Sequence, residues 1–97
     1  MTKADLVGKI ATATGLTKVD TEAVVNGFII AIGETLQHGE DIEIRGFGTF
    51  RVREKRPRVA RNPRTGAKVE VPSRHVPSFK PSRDFKDAVD RALSGHP

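Results

Sequence analysis

Arg61-Asn62-Pro63-Arg64-Thr65-Gly66 is the stretch of this chain whose residue types could do more than fold. Two arginines flank a proline, and a glycine follows. Asn-Pro followed by Thr-Gly is sound hairpin-turn chemistry. At the apex of a projecting element, the same residues would surround a rigid apolar ring with cations. Proline has no N–H donor to leave unsatisfied, so such a ring suits insertion between stacked bases.

The charge around this stretch points to the same kind of partner. Net charge is +5 and the isoelectric point is near 10.1. Residues 51–83 hold 11 Lys or Arg against 2 acids, Glu54 and Glu70, a net +9, while the rest of the chain carries −4. A basic loop that is merely solvated usually carries compensating acids. This one tolerates self-repulsion, which predicts a polyanionic partner such as a nucleic acid.

The elements that must position these cations can be read from caps and periodicity. Thr2 with Asp5 resembles a capping box, and Leu6, Val7, Ile10 and Ala11 form one helical stripe ending at Gly15. Thr17 with Asp20 repeats the start signal, and a second helix is expected to run to about His38, closed by Gly39. Its middle, AVVNGFIIAI, is apolar almost all round, unlike a surface helix with a polar back. Without the basic segment, the 97 residues leave little chain for a core, and domains that small are marginal alone. A second chain is therefore expected to bury part of this helix.

After Gly39 the period changes to two. Ile42 and Ile44 lead to Gly46-Phe47-Gly48, where a turn or bulge is expected, and Phe50 and Val52 follow. From Thr49 the strand is expected to continue into the basic segment, turn at Pro63, and return with Val69 and Val71 on one face. Beyond Val52 the buried-face alternation fades. Strands of roughly ten residues, about 33 Å long, exceed what a compact domain can fold inward, so the ribbon must project. Pro57 fits an edge strand or bulge. Pro72 and Pro77 mark the exit, Phe79 returns to the core, and Ser82 caps a short amphipathic helix carrying Phe85, Ala88, Val89 and Leu93.

GFGTF at 46–50, RNPRTG at 61–66 and VPSFKP at 76–81 stand in order behind two helices. Together they resemble the bacterial HU and integration host factor family of histone-like DNA-binding proteins, over residues 1 to about 90. The resemblance implies an α+β fold in an intertwined dimer, with a helical base, an antiparallel sheet saddle and two protruding β-ribbon arms. The whole of 1–97 would be one domain: 1–39 helical and dimerising, 40–52 and 75–81 sheet, 53–74 the arm, and 82–93 a C-terminal helix. The dimer core is expected from Phe28, Ile32, Phe47, Phe50 and Phe79. Wedge insertion into the minor groove is a known property of this family, so that role is implied by resemblance. It makes Pro63 the intercalating residue, with Arg61, Asn62 and Arg64 in the groove beside it. Arg53, Lys55, Arg56, Arg58, Lys68 and Arg74 would meet phosphates along the arm, and Lys3, Lys80 and Lys86 would do so from the body. The residues themselves leave the major groove open, since other β-ribbons read it.

The implied function is an architectural nucleoid protein, cytoplasmic, that bends duplex DNA with little sequence preference. Its second chain is an identical copy, with a heterodimer as the alternative. A sequence-selective host-factor-type subunit is the alternative function: Pro57 and IEIRGFG resemble that type, while TGLTKVDTEAVV is closer to HU. There Glu43 and Arg45, two apart on one strand face, would help read a site; as plain residues they make a charged strand face or a surface ion pair. Val59-Ala60 stands where many members have Thr-Gly, which implies a stiffer arm. An RNA-binding or ribosome-associated protein is more remote, because the chain has no Tyr or Trp to stack unpaired bases. No cofactor, metal, membrane or small-molecule substrate is expected. His38, His75 and His96 lack a second ligand at metal spacing and read as surface residues. No catalytic constellation stands out, and no cysteine is present. No apolar run reaches the roughly 18 residues of a membrane span.

Overall fold

The computed structural model describes residues 1–95; His96 lies outside them. The order is α1 (Lys3–Thr14), α2 (Lys18–Gln37), β1 (Ile42–Ile44), β2 (Gly48–Lys55), β3 (Arg58–Arg61), β4 (Lys68–Val71), β5 (Arg74–Pro81) and α3 (Arg83–Leu93). The fold is α+β, as expected.

Each helix begins on the cap its sequence announces. Asp5 N–H donates to Thr2 Oγ1 at 3.2 Å, and Thr2 N–H donates back to Asp5 Oδ2 at 2.8 Å. Asp20 N–H donates to Thr17 Oγ1 at 3.1 Å, and Phe85 N–H to Ser82 Oγ at 3.1 Å. These bonds satisfy N–H groups that have no partner within a helix. Val7 and Ala11 of α1 are buried with Thr21 of α2, whose hydroxyl bonds the Thr17 carbonyl at 2.8 Å.

Strands β1, β2 and β5 form one antiparallel sheet in the order β1-β2-β5, and β3 and β4 form a separate two-stranded ribbon. Ile44 pairs with Gly48 across a three-residue loop in which Gly46 adopts φ +78°. A left-handed residue there is cheapest as glycine. Gly48 answers a different need. A Cβ on it would lie 2.5 Å from the Lys80 carbonyl oxygen and 2.6 Å from the Phe79 ring.

Around that glycine four of the five phenylalanines gather. Phe47 lies 5.0 Å from Phe79 and stacks on Phe85 at 5.1 Å, and Phe50 lies 4.8 Å from Phe79, centroid to centroid. The Ser82 N–H donates to the Phe47 carbonyl at 2.8 Å, which pins the start of α3 to the hairpin turn. Phe47, Phe50 and Phe79 thus share one cluster. Phe28 and Ile32 lie on α2, and Phe28 joins none of these ring pairs.

One expectation is corrected here. The arm strands do not run unbroken. The ladder stops after Lys55↔Arg74 and resumes at Arg58↔Val71. The gap spans Arg56-Pro57 and Pro72-Ser73, because a proline has no N–H to give a ladder.

The single chain is not a self-contained globule. It exposes 8406 Å², against about 5,500 Å² for a compact protein of its mass. Its radius of gyration is 19.0 Å, against about 13 Å for a compact domain of this length. Phe28, Ile29 and Ile30 of α2 are each more than half exposed, and Val24 is 65% exposed.

Candidate nucleic-acid interface

The sheet sorts its side chains by alternation. Phe50, Val52 and Glu54 pair with Phe79, Pro77 and His75 on one face, while Thr49, Arg51, Arg53 and Lys55 pair with Lys80, Ser78, Val76 and Arg74 on the other. The first face carries Phe50, Val52, Pro77 and Phe79, with the His75–Glu54 pair (3.7 Å) at its far end. The second carries Arg51, Arg53, Lys55, Arg74 and Lys80, all exposed. The alternation therefore persists beyond Val52 as a cationic period. Arg51 belongs to this face and was not among the expected phosphate residues; the two-residue spacing Arg51, Arg53, Lys55 was the signal for it.

The distal ribbon keeps the same register across the gap. Arg61 pairs directly with Lys68, and Lys55 directly with Arg74. Like charges opposite one another destabilise a sheet unless an anion lies between or beside them. Among the described residues no acid forms an ion pair with any of these four; the acid contacts within 4 Å are the ion pair Arg51–Asp41 at 4.0 Å and the imidazole–carboxylate contact His75–Glu54. Val69 and Val71 share one face of this ribbon with Ala60 and Arg58. By alternation, Arg58 falls on the opposite side from Arg61 and Lys68, so the expected phosphate residues do not form one face. Arg56 lies in the gap.

At the tip the chain closes on itself. Asn62 N–H donates to the Ala67 carbonyl at 2.8 Å, and Gly66 N–H donates to the Asn62 carbonyl at 2.7 Å. The Asn62 side-chain oxygen accepts Arg64 N–H at 2.9 Å, and Arg61 Nη1 donates to the Gly66 carbonyl at 3.3 Å. Gly66 sits at φ +71°, a left-handed backbone that glycine adopts most cheaply. Pro63 is exposed at the apex and Asn62 is half-buried beneath it.

The body residues divide. Lys3 Nζ donates to Asn26 Oδ1 at 2.7 Å, tying α1 to α2, and is therefore partly committed within the fold. Lys80 and Lys86 line an open groove of about 670 Å³ with Arg45, Arg51 and Arg83, beside Glu43 and Asp87. Arg45 lies in the turn after β1, not on the strand with Glu43, and no ion pair joins the two among the described residues. His38 Nδ1 sits 2.8 Å from the Glu34 carbonyl oxygen.

Residues 1–90 match the family model described as bacterial DNA-binding protein. The chain is 46% identical to DNA-binding protein HU of Streptococcus pyogenes over 87 residues, covering 90% of this chain and 96% of that one. It is 41% identical to DNA-binding protein HU of Thermus thermophilus over 91 residues, 94% of each chain. The fold is similar to the Anabaena HU–DNA cocrystal structure at a TM-score of 0.87 and 35% identity, covering 92% of this chain and 97% of that one. HU from Thermotoga maritima, as its V42I mutant, gives a TM-score of 0.69 at 31% identity, covering 92% and 99%.

Proposed function

The chain belongs to the bacterial DNA-binding protein family as an HU-type architectural protein, and from this we propose that it enters the minor groove of duplex DNA and bends it by inserting Pro63, with low sequence specificity. The observation that carries this reading is the pair of like-charged rungs, Lys55↔Arg74 and Arg61↔Lys68, leading to an apical proline. Repulsion held in place along a ribbon is relieved when phosphates neutralise it. A bidentate base reader would instead need only one or two cations.

Two chains complete the device. The uncovered Phe28, Ile29 and Ile30 and the surplus of exposed surface support a second copy packed against α2. Two copies supply two tips, each able to unstack one base step. Unstacking costs a few kcal/mol, and the bend lets more basic surface meet phosphate. Arg61, Asn62 and Arg64 enter the groove beside Pro63. Arg51, Arg53, Lys55, Lys68, Arg74 and Lys80 take phosphates, with Arg56, Arg58, Lys3 and Lys86 as secondary contacts. The protein then works in the cytoplasm, on the nucleoid.

A second reading, a sequence-selective host-factor-type subunit, draws on the groove where Arg45 and Glu43 adjoin Lys80 and Lys86. A competition titration of random against selected duplex separates the two, because selectivity appears as a large affinity ratio. The main reading is tested by duplex titration at rising salt, with bending measured by fluorescence transfer. Affinity is expected to fall steeply. Pro63→Ala is expected to reduce the bend more than the affinity. An unchanged bend would remove the wedge.

A further inference from the structure

Three hydrogen bonds of the tip meet at Asn62. Its N–H donates to the Ala67 carbonyl at 2.8 Å, its carbonyl accepts Gly66 N–H at 2.7 Å, and its side-chain Oδ1 accepts Arg64 N–H at 2.9 Å. The first two are backbone bonds and close the loop whatever side chain stands at this position. The third is the turn that Asn and Asp side chains make with the backbone two residues on. It spans Pro63. The pyrrolidine ring already locks the proline's φ. The bond from Asn62 Oδ1 to Arg64 N–H restrains the rotations left on either side, the ψ angles of Asn62 and Pro63. One side-chain oxygen, on a half-buried residue, therefore sets the direction in which the exposed ring points.

We propose, resting on the wedge reading above, that Asn62 is a positioning residue for DNA bending, whose Oδ1 aims Pro63 at the base step before DNA arrives. A group already held in its working direction loses less freedom when it enters the stack. The role belongs to the acceptor of the amide and not to its Nδ2 donor. It also separates bending from grip. The two backbone bonds, and the bond from Arg61 Nη1 to the Gly66 carbonyl at 3.3 Å, do not involve the Asn62 side chain. Without the Oδ1 bond the loop stays closed and its cations stay in place, while the ring loses its aim.

The test uses the whole protein as parent, Asn62→Ala, Asn62→Asp, Pro63→Ala and the N62A/P63A double variant. Amide exchange at Arg64 is read in the free protein. On duplex DNA at saturating protein, fluorescence transfer from single complexes counts bent against straight. Loss of one hydrogen bond corresponds to about a three- to tenfold change. N62A is expected to speed Arg64 exchange by that factor and to lower the bent-to-straight ratio by a similar one. Its salt slope is expected to stay that of the parent, because no cation is changed. N62D keeps the acceptor and loses the donor, so its ratio is expected within about twofold of the parent. Its added negative charge lowers affinity, which saturation removes from the ratio. In the P63A background N62A is expected to cost nothing further, since no ring is left to aim. Arg64 exchange unmoved by N62A, an N62D ratio as low as that of N62A, or losses that add in the double variant each overturn the positioning role and leave the wedge standing. A salt slope that falls with N62A means collapse of the loop instead of loss of aim, and overturns it as well. A P63A ratio equal to the parent's removes the wedge reading and the positioning role together.

Discussion

Pro57 stands directly across the ribbon from Pro72. The register that pairs Lys55 with Arg74 resumes unshifted at Arg58 and Val71, so no residue is inserted between the two ladders. Neither proline can donate, and the rung they share has no N–H on either strand. The result is a joint between the body sheet and the tip ribbon, at a fixed place and without a bulge. A Pro57→Thr, Pro72→Thr double variant restores both donors in strand-compatible residues. One regained hydrogen bond is worth about 0.5–1.5 kcal/mol. Amide exchange at Val59 and Val71 is expected to slow by about two- to tenfold, and exchange rates unchanged from the parent would show that the gap has another cause.

That joint also marks where the sequence was harder to read. The caps at Thr2, Thr17 and Ser82 were legible because each requires only three neighbouring residues and a hydroxyl. The grouping of Phe47, Phe50 and Phe79 came from the family resemblance, because Phe47 and Phe50 are three residues apart and period two alone would part them. Pro57 was read as a tolerated edge residue, since a single strand does not reveal its partner; only the register shows that two prolines meet. Arg45 was placed on a strand that ends at Ile44, because Gly46 commits the chain to turning one residue before the alternation fails. The side on which Arg58 falls depends on the same unseen register. Lys3 read as a free cation because its partner, Asn26, lies 23 residues away.

Gly48 is expected to tolerate no side chain. An added Cβ would sit 2.5 Å from a backbone oxygen that belongs to the Thr49↔Lys80 rung, and 2.6 Å from a ring already held by Phe47 and Phe50. Neither neighbour is a flexible side-chain end. Overpacking of this kind costs about 1–3 kcal/mol, a fall in Tm on the order of 10 °C for a domain of this size. Thermal unfolding of Gly48→Ala within 2 °C of the parent, roughly experimental error on that scale, would mean that the β2–β5 edge is softer than its packing indicates.

Phe28 lies outside the aromatic cluster and is 53% exposed on a helix flanked by Ile29 and Ile30. If a second copy covers it, an aspartate there buries an unpaired charge. Phe28→Asp is then expected to shift sedimentation toward a monomer and to make Tm strongly concentration-dependent. DNA affinity is expected to drop with it, because one chain carries one tip. A variant that sediments and binds like the parent would place the two-chain contact elsewhere.

Alternation along the ribbon gives the phosphate contacts an order that can be measured. Arg53, Lys55 and Arg74 share the cationic face of the sheet, and none has an acidic partner within ion-pair distance among the described residues. Each of these replaced by alanine is expected to weaken duplex binding uniformly across sequences and to lower the salt slope by about one. Arg51 differs, because Asp41 lies 4.0 Å away and must release it first. Arg51→Ala is expected to cost less affinity, and Asp41→Asn to gain some. Arg58, which pairs with Val71 on the face of the distal ribbon opposite Arg61 and Lys68, is expected to change the slope least of all. Binding isotherms at four or five salt concentrations for each variant settle the order. Arg58→Ala lowering the slope as much as Arg53→Ala would mean that the ribbon twists enough at Pro57 and Pro72 to turn both faces toward the duplex.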